Sequence, residues 1–165
     1  MSRSIILTDQ QITDKIKRIA YQIYESNTKE KEVIIAGIKE NGFILAERIA
    51  KVLREISSLE VSLCEVAMDK KKPREQITTS LDPEQYKNRS LVLVDDVLNS
   101  GTTLIYAARH FLDVPLKRFK TVVLVNRNHK KYPIKADFKG LSLSTSLQEH
   151  IHVEFNKKGS VAYLE

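Results

Sequence analysis

Short β-branched runs, repeated along the chain, constrain the fold of this sequence more than any other feature. VIIAGI (33–38), SLVLV (90–94) and FKTVVLV (119–125) are continuously apolar or nearly so, and VSLCEVAM (61–68) has the same strand character. Runs this short, bounded by polar turns, read as strands buried on both faces, as in a parallel sheet. Between them apolar residues recur at helical spacing, first Leu45, Ala46, Ile49, Val52, Leu53 and Ile56, then Leu104, Ile105, Ala108, Phe111 and Leu112. Ahead of the first run, Ile12, Ile16, Ile19, Ala20 and Ile23 mark one face of a helix over 8–26, and Thr8 with Gln11 forms a capping box at its start. Strands alternating with helices require right-handed crossovers and a mostly parallel sheet covered on both faces. The expected class is α/β.

A length of 165 residues suits one domain, 1–165, and one site. Apolar residues make up 42% and charged residues 29%, a balance that predicts folding rather than disorder. Cys64 is the single cysteine, which excludes an internal disulfide and a cysteine-based zinc site. The N-terminus lacks a signal-peptide core and no apolar run has membrane-spanning length, so the expected location is the cytoplasm with no membrane partner. A net charge of +6 suits polyanionic partners, either a phosphorylated metabolite or RNA. Two regions break the alternation. Residues 69–89 are polar and carry Pro73 and Pro83, which marks a candidate lid. After Val125 the helical pattern stops, and KADFKG, HIHVEF and SVAYL read as small strands of an appendage over one sheet edge.

The chemistry concentrates in LVLVDDVLNSGTTL (91–104). Ligands of an open parallel sheet bind beyond the carboxyl ends of its strands, where Asp95 and Asp96 stand. Asn99, Ser100, Gly101, Thr102 and Thr103 then make a turn into a helix, whose free N–H groups and neighbouring hydroxyls suit an anion. A phosphate beside two carboxylates is contradictory unless one ligand carries both a phosphate and hydroxyls. A sugar phosphate does, with its hydroxyls donating to the carboxylates and a hydrated Mg²⁺ neutralising them further. Neither the P-loop pattern nor the dinucleotide-binding glycine pattern occurs in the chain.

VLVDDVLNSGTT resembles the phosphoribosyl-pyrophosphate (PRPP) motif of type I phosphoribosyltransferases. IILTDQQI, IIAGIKENGFILAERIA, VLVNRNHKKYPIKADFKG and the VAYLE ending are similar to successive segments of the bifunctional pyrimidine operon attenuator and uracil phosphoribosyltransferase family. The resemblance implies the type I fold with a small C-terminal hood at about 126–165 over the nucleobase. It implies transfer of 5-phosphoribosyl from PRPP to a base, probed first as uracil, with release of pyrophosphate and with Mg²⁺ as cofactor. Asp95 and Asp96 would hold the ribose hydroxyls and the metal, directly through the hydroxyls or through water. Asn99 to Thr103 would take the 5-phosphate. Lys39, Glu40, Asn41 and Gly42 would form the pyrophosphate loop, Arg74 in the KKKPR stretch (70–74) would act from the lid, and Arg127 and His129 would line the base side. A homo-oligomer is implied by the family alone.

Three departures from the family pattern keep alternatives open. Glu40 and Asn41 stand where Thr-Arg is common, which exchanges a cation for a carboxylate beside pyrophosphate; the lid is also shorter. Asn99 replaces both the aromatic residue common in the uracil family and the aspartate of purine transferases, and an amide cannot act as a carboxylate base. A nucleotide-sensing RNA-binding regulator with little catalysis is therefore an alternative, with Lys15, Lys17, Arg18, Lys130, Lys131 and Lys135 as phosphate contacts. Transfer to a purine or another base is the other. His150 and His152 share one strand face, and spacing suggests no third zinc ligand for them.

Overall fold

The structure, a computed structural model describing residues 2–165, runs β1 (Ser4–Leu7), α1 (Asp9–Ser26), β2 (Glu32–Ile38), α2 (Asn41–Ile56), β3 (Glu60–Ala67), β4 (Thr78–Thr79), α3 (Pro83–Tyr86), β5 (Ser90–Leu98), α4 (Thr102–Phe111), β6 (Arg118–Asn126), β7 (Phe138–Ser142), β8 (Ile151–Asn156) and β9 (Gly159–Leu164). The main sheet has six strands in the order β4-β3-β2-β5-β6-β7, parallel throughout except where β4 pairs antiparallel with β3. Connections from β2 run outward to β3 and those from β5 run outward to β6. The switch point therefore lies between β2 and β5, where the loops leaving the two strands diverge and open a crevice.

Two apolar layers fix this sheet. On one face Ile12, Ile16, Ile19 and Ile23 of α1 and Leu45, Ile49 and Leu53 of α2 close over Ile35, Val92, Val94, Val122 and Leu124. Each fully buried isoleucine or leucine contributes about 2 kcal/mol of transfer free energy, which makes this layer the main clamp on α1 and α2. The opposite face packs Leu104, Ala107 and Phe111 of α4 with Tyr86 against Ile34, Leu91, Leu93 and Val123. The start of α1 is secured as its sequence predicts: Thr8 Oγ1 accepts from the Gln11 amide at 3.3 Å and Gln11 Oε1 accepts from the Thr8 amide at 2.9 Å.

The hood is a three-stranded antiparallel sheet in the order β1-β9-β8. This corrects the expected range of about 126–165 at its start and adds a strand from the N-terminus. Phe138–Ser142 pairs parallel with β6 and belongs to the main sheet, while the N-terminal strand Ser4–Leu7 joins the hood. Arg18 donates to the carbonyls of Lys139 and Gly140, both at 2.9 Å, and so ties α1 to the β7 edge. The expected lid is also more ordered than its polar composition suggests. It contains β4 and α3, with Ile77 and Leu81 packed on the second apolar layer and Tyr86 buried within it. Among the described residues no helix is long and apolar enough to cross a membrane.

Candidate active site

The start of α2 meets β5 at the switch point because one residue between them has no side chain. A Cβ on Gly42 would stand 3.0 Å from the Val94 carbonyl oxygen and 3.1 Å from Asp95 Oδ1, so the first turn of α2 lies directly against β5. β5 stays buried through Asp95, which is 2% exposed, and surfaces at Asp96. Asp95 Oδ1 accepts from the Asp96 amide at 2.9 Å and faces the Lys70 ammonium at 3.4 Å. Asp96 Oδ1 accepts from the Val97 amide at 2.9 Å. Asn41 Nδ2 donates to Asp96 Oδ2 at 3.1 Å and to the Val153 carbonyl at 2.7 Å, linking the β2 loop, the carboxylate pair and the hood through one amide.

Burial and the neighbouring Asp96 charge push the Asp95 carboxyl up to about 8, with Lys70 acting against them. Burial pulls on the Lys70 ammonium in the downward direction, but Asp95, Asp96 and Glu40 outweigh it and leave that group above its ordinary value. The three acidic groups and the lysine thus form one electrostatic unit.

Beyond the carboxylates the chain turns through Gly101, at φ 86°, into the N-terminus of α4, which carries no side-chain cap. The hydroxyls of Ser100 and Thr102 lie 2.8 Å apart, and the Ser100 carbonyl accepts from the amides of Lys131 and Tyr132 at 2.8 and 3.0 Å. The segment after β6 therefore props the turn from behind. Asn99, Ser100, Gly101, Thr102 and Thr103 line a cavity of about 220 Å³ together with Asp95, Asp96, Lys70 and Ile151 of the hood. A second cavity of about 380 Å³ adjoins it, lined by Lys39, Glu40, Asn41, Met68, Asp69, Lys70, Lys71 and Asp96. Glu40 holds φ 74° and ψ −119°, a backbone conformation that glycine adopts readily and glutamate does not.

Most of the site residues expected from sequence therefore converge, and three do not. Arg74 lies in a separate cleft with Tyr106, Arg109, His110 and Asp113, and Lys70 is the lid residue that reaches the carboxylates. Arg127 is buried and committed elsewhere: its Nε donates to Thr145 Oγ1 at 2.6 Å and its Nη2 to the Ser146 carbonyl at 2.8 Å, which pins the connection between β7 and β8. His129 is half-buried on the turn after β6 and lines neither cavity. His152 stacks on Tyr163 with ring centroids 5.3 Å apart and lies 3.7 Å from Glu165.

One residue escaped the sequence reading. Asn126, the last residue of β6, is 4% exposed, pairs in register with Leu98 of the first cavity, and has a buried Oδ1 with no hydrogen-bond partner. Its Nδ2 donates to Asn128 Oδ1 at 3.2 Å and Ser142 Oγ at 3.3 Å. A polar residue ending an apolar run, as Asp95 ends its own, was the available signal.

An open α/β sheet that brings a hydroxyl-bearing turn, a carboxylate pair and a lysine-bearing cleft together at its switch point belongs to the broad class whose ligands bind beyond the strand ends. More narrowly, the chain belongs to the phosphoribosyl transferase domain family, whose profile matches residues 2–158. It is similar to the "Bifunctional protein PyrR" of Streptococcus thermophilus, at 34% identity over 100% of this chain and 99% of that one. The protein of that name from Macrococcus caseolyticus is 36% identical, with 93% and 92% covered. Among solved structures, a hypoxanthine-guanine phosphoribosyltransferase from Bacillus anthracis matches with a TM-score of 0.76 over 98% of this chain and 99% of that one, at 17% identity. The hypoxanthine phosphoribosyltransferase of Trypanosoma cruzi gives 0.76 over 95% and 92%, at 16% identity. The fold is the type I phosphoribosyltransferase fold.

Proposed function

We propose that the chain transfers the 5-phosphoribosyl group of PRPP to uracil, forming UMP and pyrophosphate. The observation that carries this reading is that the two cavities share Lys70 and Asp96, so that a hydroxyl-bearing turn, a carboxylate pair and a cleft holding Lys39, Lys70 and Lys71 offer sites for the three parts of PRPP. The turn at Ser100–Thr103 takes the 5-phosphate, Asp95 and Asp96 take the ribose hydroxyls, and Lys39 with Lys70 and Lys71 faces the pyrophosphate. In the reaction a ring nitrogen of the base forms the new bond to the anomeric carbon as the bond to pyrophosphate oxygen breaks, and the N–H proton of the base passes to the departing pyrophosphate or to water. No enzyme nucleophile is needed, so positioning and preorganised charge supply the acceleration. The carboxylate pair lies where positive charge develops on the sugar.

The residues present also fit Mg²⁺. The Lys70 ammonium on Asp95 already stands in for a cation, and the donors around it are the hard oxygens of Asp95 and Asp96. Among the described residues no cluster of three or more metal-ligating side chains exists, so the remaining oxygens would come from the substrate's phosphates and water. Bound there, the ion would offset charge on the departing pyrophosphate.

For the base, the similarity to proteins named PyrR supports uracil, and Asn99 of the first cavity is an amide able to pair with a base edge. An amide matches the adjacent carbonyl and N–H of uracil and of a 6-oxopurine alike, so the choice of uracil rests on the relatives. The test is a panel of nucleobases incubated with PRPP and Mg²⁺ and read by pyrophosphate release and nucleotide product. UMP as the main product supports the reading, and a purine nucleotide as the main product overturns it.

A second reading rests on the word "bifunctional" in the relatives' names and on the carboxylate in the pyrophosphate loop: a UMP-sensing, RNA-binding regulator. Exposed Lys17 on α1 and Lys130, Lys131 and Lys135 after β6 would supply phosphate contacts, whereas Arg18 is already engaged with the β7 edge. UMP-dependent retention of a pyrimidine-gene leader RNA, with no product across the base panel, would favour it.

A further inference from the structure

We propose that Lys70 is a resident counter-cation of the ribose site, exchanged for the substrate's own cation when the site fills. Asp95 is a buried carboxylate beside a second carboxylate, and its facing cation is this ammonium at 3.4 Å. The backbone beneath Lys70 is fixed, because Asp69 Oδ1 accepts from the Lys71 amide at 2.9 Å and the Asp69 carbonyl accepts from the Lys72 amide at 3.0 Å. The side chain is not fixed in the same way: it is 47% exposed, and it lines both the sugar cavity and the basic cleft. A long, strongly hydrated ammonium on an anchored turn can change partners without moving the backbone.

Two consequences follow. In the ligand-free protein above about pH 8, where Asp95 is ionised, the lysine neutralises an acidic pair that would otherwise repel itself at the end of a buried strand. As a divalent cation or the sugar hydroxyls engage the pair, the ammonium is released into the adjoining cleft, where Lys39 and Lys71 stand among the carboxylates of Glu40, Asp69 and Asp96. Lys70 is then a positioning residue for the acidic pair in one state and a pyrophosphate contact in the other. The cleft thus gains a third unpaired ammonium only after the sugar side is engaged.

This inference rests on the proposed PRPP site, and its test is separable from turnover. Mn²⁺ binding to the ligand-free protein above about pH 8, where Asp95 is ionised, followed by water-proton relaxation, should be about tenfold or more tighter in Lys70→Met than in the wild type, because a unit charge about 4 Å away no longer competes. Lys71→Met removes the same formal charge without the ion pair and should leave Mn²⁺ affinity near the wild-type value. Pyrophosphate alone should bind Lys70→Met more weakly. In the wild-type protein, reductive methylation read by mass spectrometry should label Lys70 faster when Mn²⁺ is present, a measurement that needs no variant to fold. Equal Mn²⁺ affinity of Lys70→Met and wild type, an equal gain in Lys71→Met, or unchanged Lys70 labelling would each overturn the exchange. If these results hold while no base is ribosylated, the exchange stands and the transferase reading fails; if UMP forms without them, the reverse is true.

Discussion

Glutamate at position 40 is strained where the fold has most reason to be strained, and replacing it with glycine should stabilise the protein. At φ 74° and ψ −119° the Cβ crowds the neighbouring carbonyl groups, which costs a non-glycine residue about 1–3 kcal/mol. Glycine removes that cost but gives up about 0.5–1 kcal/mol of extra chain entropy on folding. The Glu40 side chain is exposed and makes no cap bond to α2, so little is lost with it. The net gain is about 1 kcal/mol, which for a chain of this size raises Tm by about 2–4 °C. Glu40→Ala keeps the Cβ and should show no such gain. Thermal unfolding of both variants by circular dichroism tests the strain, and PRPP titration tests its setting: Glu40→Gly also removes a carboxylate from the lysine-lined cleft and should lower the KM for PRPP. A Tm below wild type for Glu40→Gly, or equal gains for glycine and alanine, would refute the strain argument.

The raised Asp95 carboxyl has a signed consequence for stability. Its folded value of about 8 lies above that of the unfolded chain, so the stabilisation present at low pH is lost as pH rises from about 4 through about 8, and Asp95→Asn should flatten that part of a Tm-against-pH curve. Gly42→Ala would place a Cβ 3.0 Å from the Val94 carbonyl and 3.1 Å from Asp95 Oδ1; a loss of about 1–3 kcal/mol in denaturant unfolding and a higher KM for PRPP are expected.

The main sheet was legible because its strands announce themselves. VIIAGI, SLVLV and FKTVVLV are buried on both faces, and such runs have few alternatives in a chain of this length. The α1 start was equally local, since Thr8 and Gln11 make both halves of the capping box themselves. What escaped was decided at a distance. Ser4–Leu7 leaves Ser4 and Ile5 exposed and becomes a strand only by pairing with β9 at the far end of the chain. Thr78–Thr79 is strand only because β3 offers an edge, and Phe138–Ser142 carries no mark in its residues of which sheet it joins.

The site divides in the same way. Asp95, Asp96 and the Asn99–Thr103 turn are contiguous, so their joint chemistry could be read directly, and Lys39 to Gly42 sit at the matching end of β2. Arg74 and Lys70 are four positions apart in one basic stretch, and composition cannot rank them. The Asp69 turn aims Lys70 at the carboxylates and leaves Arg74 beside Tyr106. Arg127 was legible as a polar residue near a strand end, but its use was set by Thr145 and Ser146 on a later connection.

The most direct measurement is product analysis of the protein with PRPP, uracil and Mg²⁺, run beside an Asp95→Asn, Asp96→Asn double variant whose circular dichroism matches wild type. Equimolar UMP and pyrophosphate from the wild type, falling by about a hundredfold or more in the double variant, is the expected result, because the pair stabilises charge that develops only in the transition state. UMP formation by the double variant at the wild-type rate would contradict the central claim that Asp95 and Asp96 hold the reacting ribose.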